Sequence, residues 1–295
     1  MKPPPFVYHR PATLQEAVDM LSRLENVRIL AGGQSLVPML NMRFSTPDHI
    51  VDINSIPSLA GIEKSGSRIV IGAMTRQRDI EFDPVIAEYL PIMSEAIKFV
   101  GHRQTRNRGT LGGSLCHMDP AAELVCVAAV YDAEVRVAGA AGERTIQFAD
   151  FPQGYLTPGI EPGEIVTSVS FEPWSASSGS AFVEFARRHG DFAIASAAAI
   201  LSLDDAGRVA RCALAIGGIG TAPLRMTSFE AAMIGKAPSD AMFEEFAESC
   251  RALDLADDPY VPAAYRKRLC AGQAVIAVKT AHSRALANID KAAMR

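Results

Sequence analysis

Apolar positions along the chain recur with two periods, and each predicts its own element. Leu14, Val18 and Leu21 share one helical face behind Thr13-Leu14-Gln15-Glu16, where Thr13 and Glu16 stand at capping-box spacing. Short apolar runs at 27–31 and 49–53 predict strands, with a short helix over 36–42 between them. Residues 1–10 read as an extended lead-in, and the two strands with the short helix between them make a compact β-loop-α-β unit. The texture changes from residue 59. A strand is predicted at 68–72 and helical stretches at 75–80, from Asp83-Pro84, and at 92–100 up to Gly101. A polar run, 102–108, leads into a glycine-rich turn. A helix is then expected over 120–130, with Asp119 as its N-cap and Pro120 at its first position. The spans 134–137 and 144–147 read as a hairpin, 154–162 as loop and 164–171 as a strand.

The Ser-rich stretch 174–179 is the best linker candidate. Strands are predicted at 180–185, 193–203 and 208–216, the last two joined by the turn Asp204-Asp205-Ala206-Gly207. Helical periodicity fills 226–256 and 262–290, broken near 257–262. Strands followed by helices make the last third an α+β region of its own.

With 295 residues the chain is long enough for two or three domains. A net charge of −4 argues against a nucleic-acid surface, which needs clustered cations; the one basic cluster is Arg103, Arg106 and Arg108. That cluster is open to three readings: solvated, serving a phosphate, or meeting an acidic partner. Five cysteines without a C-x-x-C pair match neither a disulfide framework nor a zinc or iron–sulfur site. The opening MKPPPFVYHRP has no apolar core, so no signal peptide is expected, and no apolar run reaches membrane-span length. A reduced, cytoplasmic setting is the expectation.

Two loops carry the candidate chemistry. Ala31-Gly32-Gly33-Gln34-Ser35 leaves one apolar run, and Arg108-Gly109-Thr110-Leu111-Gly112-Gly113-Ser114 precedes another apolar segment. Glycine lets a backbone approach a bulky polar ligand and lets successive amides point one way as an anion nest. Ser35 and Ser114 add hydroxyl donors. Two such loops suit a diphosphate gripped from both sides. A Rossmann reading finds Asp52 at about ribose distance after Gly32, but G-x-G-x-x-G is absent and Pro38 interrupts the short helix. His117, with Cys116 and Asp119, lacks a fourth ligand and reads as a polar-loop histidine rather than a metal ligand. G-x-S-x-G does not occur, and no catalytic acid, base or nucleophile is assigned. Arg187-Arg188-His189 reads as a solvated charge run, with a place at a subunit boundary left open.

The blocks AGGQSLVPMLNMR (31–43), RGTLGGSLCHMDPAAE (108–123) and FARRHGDFAIASAA (185–198) resemble the flavin-binding medium subunits of bacterial molybdenum hydroxylases. That group includes carbon monoxide dehydrogenase and the FAD domain of xanthine dehydrogenase. The likeness is collinear over about residues 5 to 285. It implies an α+β protein: two α/β subdomains of the PCMH-type FAD-binding fold (about 1–57 and 58–176), then a smaller α+β C-terminal domain of carbon monoxide dehydrogenase flavoprotein type (177–295). It implies noncovalent FAD, held by Ile29, Leu30, Ala31, Gly32, Gly33, Gln34, Ser35 and Leu36 on one side of the diphosphate and by Thr110, Gly112, Gly113 and Ser114 on the other. His117 would lie near the diphosphate and ribityl chain, Glu123 would accept from ribose hydroxyls, and Val100 and Ile165 would lie beside the flavin or adenine. Many relatives carry lysine near position 184, where this chain has Glu184, so the resemblance carries over no direct charge contact from there to the flavin ring.

The resemblance further implies an oxidoreductase subunit passing electrons from iron–sulfur clusters to an external acceptor. Its partners would be a small subunit with 2Fe–2S clusters and a large molybdopterin subunit, as a dimer of heterotrimers, with the substrate site on another chain. Two other functions stay compatible with the residues: a self-sufficient flavin oxidoreductase of related fold, and a non-enzymatic nucleotide-binding protein.

Overall fold

In the computed structural model, which describes residues 1–255, 257 and 260–293, the chain resolves into two compact units. The first comprises residues 1–85, 102–118 and 133–172; the second comprises 86–101, 119–132 and 173–295. Segments 86–101 and 119–132, which precede the linker in sequence, therefore pack with the C-terminal part.

The first unit holds two sheets. A parallel three-stranded sheet runs in the order Val7–His9, His49–Asp52, Val27–Leu30. The lead-in is thus partly a strand, one whose pairing partner lies some forty residues away. The helix Leu14–Leu21 starts as the capping box predicts: Thr13 Oγ1 accepts from the Glu16 amide at 3.2 Å, and Glu16 accepts from the Ala12 amide at 2.8 Å. It buries Ala17, Val18 and Leu21 against Val51, Ile53, Ile56, Leu59, Met74 and Ile165. The second sheet is antiparallel, in the order Ile62–Ser65, Arg68–Gly72, Ile165–Phe171, Glu134–Gly139, Gly142–Gln147.

The polar run 102–108 is helical over Arg103–Arg108, and the glycine turn after it is the helix Leu111–His117. Asp119 and Pro120 do not start the following helix, which spans Glu123–Val130 with Ala122 at its N-cap. The Asp119 carboxylate instead accepts from the Ala121 amide at 2.9 Å, closing a turn two residues long. The stretch expected as loop at 154–162 contains a two-stranded ribbon, Pro152–Gly154 with Thr157–Pro158.

The second unit is built on an antiparallel sheet in chain order: Gly179–Phe185, Ala195–Leu203, Val209–Gly217, Leu224–Arg225. The helix Ala263–Ala293 packs on its first two strands. Small side chains on both faces let the two backbones come close. Ala274, Ala277, Ala281 and Ala285 are all buried on the helix, facing a strand rich in alanine, Ala195–Leu203. At Gly179 a Cβ would collide with the Ala281 carbonyl oxygen and the Ala285 amide nitrogen. The linker is ordered: Trp174 lies under the Arg211 guanidinium at 4.0 Å, and Asn288 Nδ2 donates to the Ser178 carbonyl at 2.8 Å. Helices Thr227–Met233 and Asp240–Arg251 complete this unit, and the predicted break near 257–262 falls partly outside the described residues.

Candidate functional site

The two glycine loops meet within the first unit. Gly32 lies against the backbone of the second loop so closely that a Cβ there would collide with the Arg108 carbonyl oxygen and stand 2.8 Å from Gly109 Cα. Gly33 has φ +73°, a left-handed conformation that favours glycine. On the other side, Gly113 stands where its Cβ would be 3.6 Å from Ala31 Cβ. At Gly32, main chain thus meets main chain across the junction.

The donors are distributed unequally. The amides of Gly32, Gly33, Gln34 and Ser35 donate to no group among the described residues. Those of the second loop are already engaged: Leu111 to the Thr75 carbonyl at 3.2 Å, Gly112 to the Ala73 carbonyl at 2.8 Å, Gly113 to Thr110 Oγ1 at 3.0 Å and Ser114 to the Thr110 carbonyl at 3.1 Å. Only the first loop therefore carries a run of amides with no acceptor among the described residues. The second supplies a close-packed wall and the Ser114 hydroxyl, because Thr110 spends its own hydroxyl as the cap of the helix Leu111–His117.

The other expected contacts divide between the units. Ile29, Leu30 and Leu36 flank the first loop, and His117 ends the helix Leu111–His117, a helix terminus rather than the loop expected. Ile165 is only 1% exposed and belongs to the core against which Ile29 and Ala31 pack, so it supports the first loop from behind. Val100 and Glu123 belong to the second unit, Val100 in the turn after Pro91–Ala96 and Glu123 buried at the start of Glu123–Val130. Glu184, also in that unit, has its pKa pushed up to about 8 by burial and then by the charge of Glu123.

The Asp52 carboxylate is engaged within the first unit. Oδ1 accepts from the Asn54 amide at 2.9 Å and from Asn54 Nδ2 at 2.5 Å, and Oδ2 from the Tyr8 hydroxyl at 2.5 Å. Burial pushes its pKa up, but the bonds from Tyr8 and Asn54 and the charge of Arg10 outweigh burial and hold the carboxyl below its ordinary range. In the basic cluster, Arg106 forks onto Glu81, Nε to Oε2 at 2.9 Å and Nη2 to Oε1 at 3.1 Å, and so fixes Arg103–Arg108 on Gln77–Phe82. Arg187 is exposed and its Nη2 donates to the Tyr260 carbonyl at 3.2 Å. Among the described residues no group of three His, Cys, Asp or Glu is placed to hold a metal ion, and no helix is long and apolar enough to cross a membrane.

Sequence reasoning missed Asn54 and Arg76, of which the first bonds the first loop and the second bonds the second loop. Asn54 Nδ2 donates to the Ala31 carbonyl at 2.8 Å, and Arg76 donates to the Arg108 carbonyl at 2.5 Å. Neither has a local motif to announce it.

Residues 4–174 match the family model described as the FAD binding domain in molybdopterin dehydrogenase, and residues 180–281 match the CO dehydrogenase flavoprotein C-terminal domain. The chain is 43% identical over 235 residues to the 6-hydroxypseudooxynicotine dehydrogenase complex subunit alpha of Paenarthrobacter nicotinovorans, covering 79% of each chain. It is 35% identical to the caffeine dehydrogenase subunit beta of a Pseudomonas species, covering 96% of this chain and 97% of that one. Among solved structures it is similar to the carbon monoxide dehydrogenase of Hydrogenophaga pseudoflava, with a TM-score of 0.93 at 34% identity, covering 96% of this chain and 99% of that chain.

Proposed function

Since the chain belongs to the family of FAD-binding subunits of molybdopterin dehydrogenases, we propose that it is the electron-transfer flavoprotein subunit of a molybdenum hydroxylase. The observation that carries the reading is the junction of Gly32 with the Arg108–Gly109 backbone, beside open amides at Gly32–Ser35. Bound FAD supplies reversible one- and two-electron chemistry; the chain's residues hold it and set its surroundings.

In this reading the first loop binds the diphosphate through its amides and the Ser35 hydroxyl. Gly113, whose Cβ side faces Ala31, keeps the opposite wall low enough for the phosphates to enter, Gly112 lets the helix behind it pack on Ala73, and Ser114 offers a hydroxyl from that side. His117, Val100 and Glu123 keep the roles that the sequence resemblance gives them. The sequence domains remain assigned as 1–176, with subdomains about 1–57 and 58–176, and 177–295. Electrons arrive from 2Fe–2S clusters on a small partner subunit, having originated at a molybdopterin centre on a large one, in a cytoplasmic complex arranged as a dimer of heterotrimers. Relatives named for caffeine, carbon monoxide and 6-hydroxypseudooxynicotine support the class of complex, and the substrate is chosen on another chain.

The test is co-purification with the products of neighbouring reading frames, followed by anaerobic mixing with candidate heteroaromatic or aldehyde substrates. Flavin bleaching that requires both partners is the expected result. Bleaching of the isolated chain by a small organic substrate would overturn the assignment in favour of a self-sufficient flavin oxidoreductase. A colourless chain that takes up no FAD would leave only a nucleotide-binding fold.

A further inference from the structure

We propose that Arg76 and Asn54 form a latch that sets the spacing of the two glycine loops and thereby positions the diphosphate-binding surface. The inference rests on the reading of those loops as the diphosphate cradle. The connection runs through one continuous set of hydrogen bonds. Tyr8 and the backbone and side chain of Asn54 hold Asp52, which fixes the Asn54 amide plane. With its plane fixed, Asn54 turns Nδ2 onto the Ala31 carbonyl at 2.8 Å, at the start of the first loop. Its Oδ1 accepts from Arg76 Nη2 at 2.5 Å, and Arg76 Nη1 reaches the Arg108 carbonyl at 2.5 Å, at the start of the second loop.

Residues 76 and 77 also meet the second loop through the main chain: Arg76 bridges Thr110, and the Gln77 amide donates to the Gly109 carbonyl at 2.9 Å. Those contacts hold the second loop alone. The Arg76–Asn54 pair is the side-chain tie that joins it to Ala31. It serves a second purpose through charge. The Ala31 and Arg108 carbonyl oxygens both lie at the junction, and an unpaired carbonyl dipole repels a phosphate oxygen. Asn54 and Arg76 cover both oxygens with donors, one of them cationic. Arg76 is thus a positioning residue, aligning the cradle rather than reacting.

The experiment uses the full chain stripped of flavin. FAD affinity is measured by quenching of flavin fluorescence, ADP affinity by calorimetry, and the melting temperature of the flavin-free chain is recorded alongside. Variants are Asn54→Ala, Arg76→Ala, Arg76→Met, the Asn54→Ala/Arg76→Ala pair, and Gly32→Val as the reference for the cradle. Each single latch variant is expected to weaken FAD and ADP by about tenfold or more, the loss of a hydrogen bond to a charged group. The double variant should fall no more than about threefold below the worse single, because the two residues act in series. Arg76→Met, which keeps the side-chain stem, is expected to match Arg76→Ala in affinity with a melting temperature near wild type.

A single variant that loses less than tenfold, or an additive double variant, would overturn the latch. Loss of affinity that appears only together with a fall in the flavin-free melting temperature would do the same, since that is a folding defect. If the latch variants bind normally while Gly32→Val does not, the latch fails and the cradle stands. If Gly32→Val keeps full affinity, the cradle itself is wrong.

Discussion

Gly32 and Arg108 sit so close that any side chain on the first would strike the carbonyl oxygen of the second. The obstacle is main chain, pinned by Arg76, and it cannot swing aside as a flexible side chain would. Gly32→Val is therefore expected to lower FAD affinity by about ten- to a hundred-fold, the effect of overpacking a rigid contact. Gly113→Ala should be milder, because its Cβ would meet the Thr110 hydroxyl at 2.8 Å and otherwise only Ala31 Cβ at ordinary distance. Flavin content per chain after gel filtration checks both, and equal losses would contradict the ranking.

A second prediction concerns Arg106. Its side chain and that of Glu81 are 11% and 10% exposed, so each depends on the other to offset desolvation. Arg106→Ala leaves a carboxylate almost buried without its cation and is expected to destabilise the first unit by about 3 kcal/mol. Replacing both residues by Met should recover most of that. Urea unfolding of the single and double variants measures the difference; a double variant no more stable than the single would contradict the argument.

Glu184 supplies a pH dependence. Burial, and then the charge of Glu123, raise its pKa to about 8. The folded chain therefore binds a proton that the unfolded chain releases, and stability falls as pH rises from about 5 to about 8. Glu184→Gln removes that proton linkage. Its melting temperature relative to wild type should rise steadily across that window and level off above it, as differential scanning fluorimetry at several pH values would record. A difference independent of pH would mean that Glu184 is ionised in the folded chain.

All five cysteines are free, and burial pushes each thiol pKa up to about 12. Thiolate is the reactive form, so the native chain is expected to resist an aromatic disulfide reagent at pH 8, with five thiols reacting once it is unfolded. The same inertness gives no cysteine suited to a covalent flavin link. Acid precipitation should therefore leave the flavin in the supernatant; flavin in the pellet would contradict noncovalent binding.

Much of the frame is legible in the sequence because its signals are local. The capping box of Leu14–Leu21, the apolar run of Val27–Leu30 and the two glycine pairs all announce themselves within a few residues. The family resemblance rests on such blocks, and the matches over 4–174 and 180–281 agree with it. What escaped depends on distant partners. Gly112 reads as part of a turn, yet it lies inside Leu111–His117, at a position where a Cβ would come within 2.6 Å of Ala73 Cβ. Tertiary packing overrides the unfavourable propensity. Val7–His9 has no alternation of its own and becomes a strand only by pairing with His49–Asp52. Asn54 and Arg76 are common polar residues whose partners lie 23 and 32 positions away, so no pattern within the chain marks them.

The bonds that Asn54 and Arg76 make to the loops end on peptide carbonyls, which every amino acid provides. The grip itself therefore places no demand on the side chains at positions 31 and 108, although Ala31 also packs on the core behind the first loop. Mutational intolerance should concentrate on the two residues that do the holding and on Gly32, where bulk is forbidden. A saturation library scored for retained yellow colour would draw that map, with a permissive anchor at position 108 beside three nearly invariant positions.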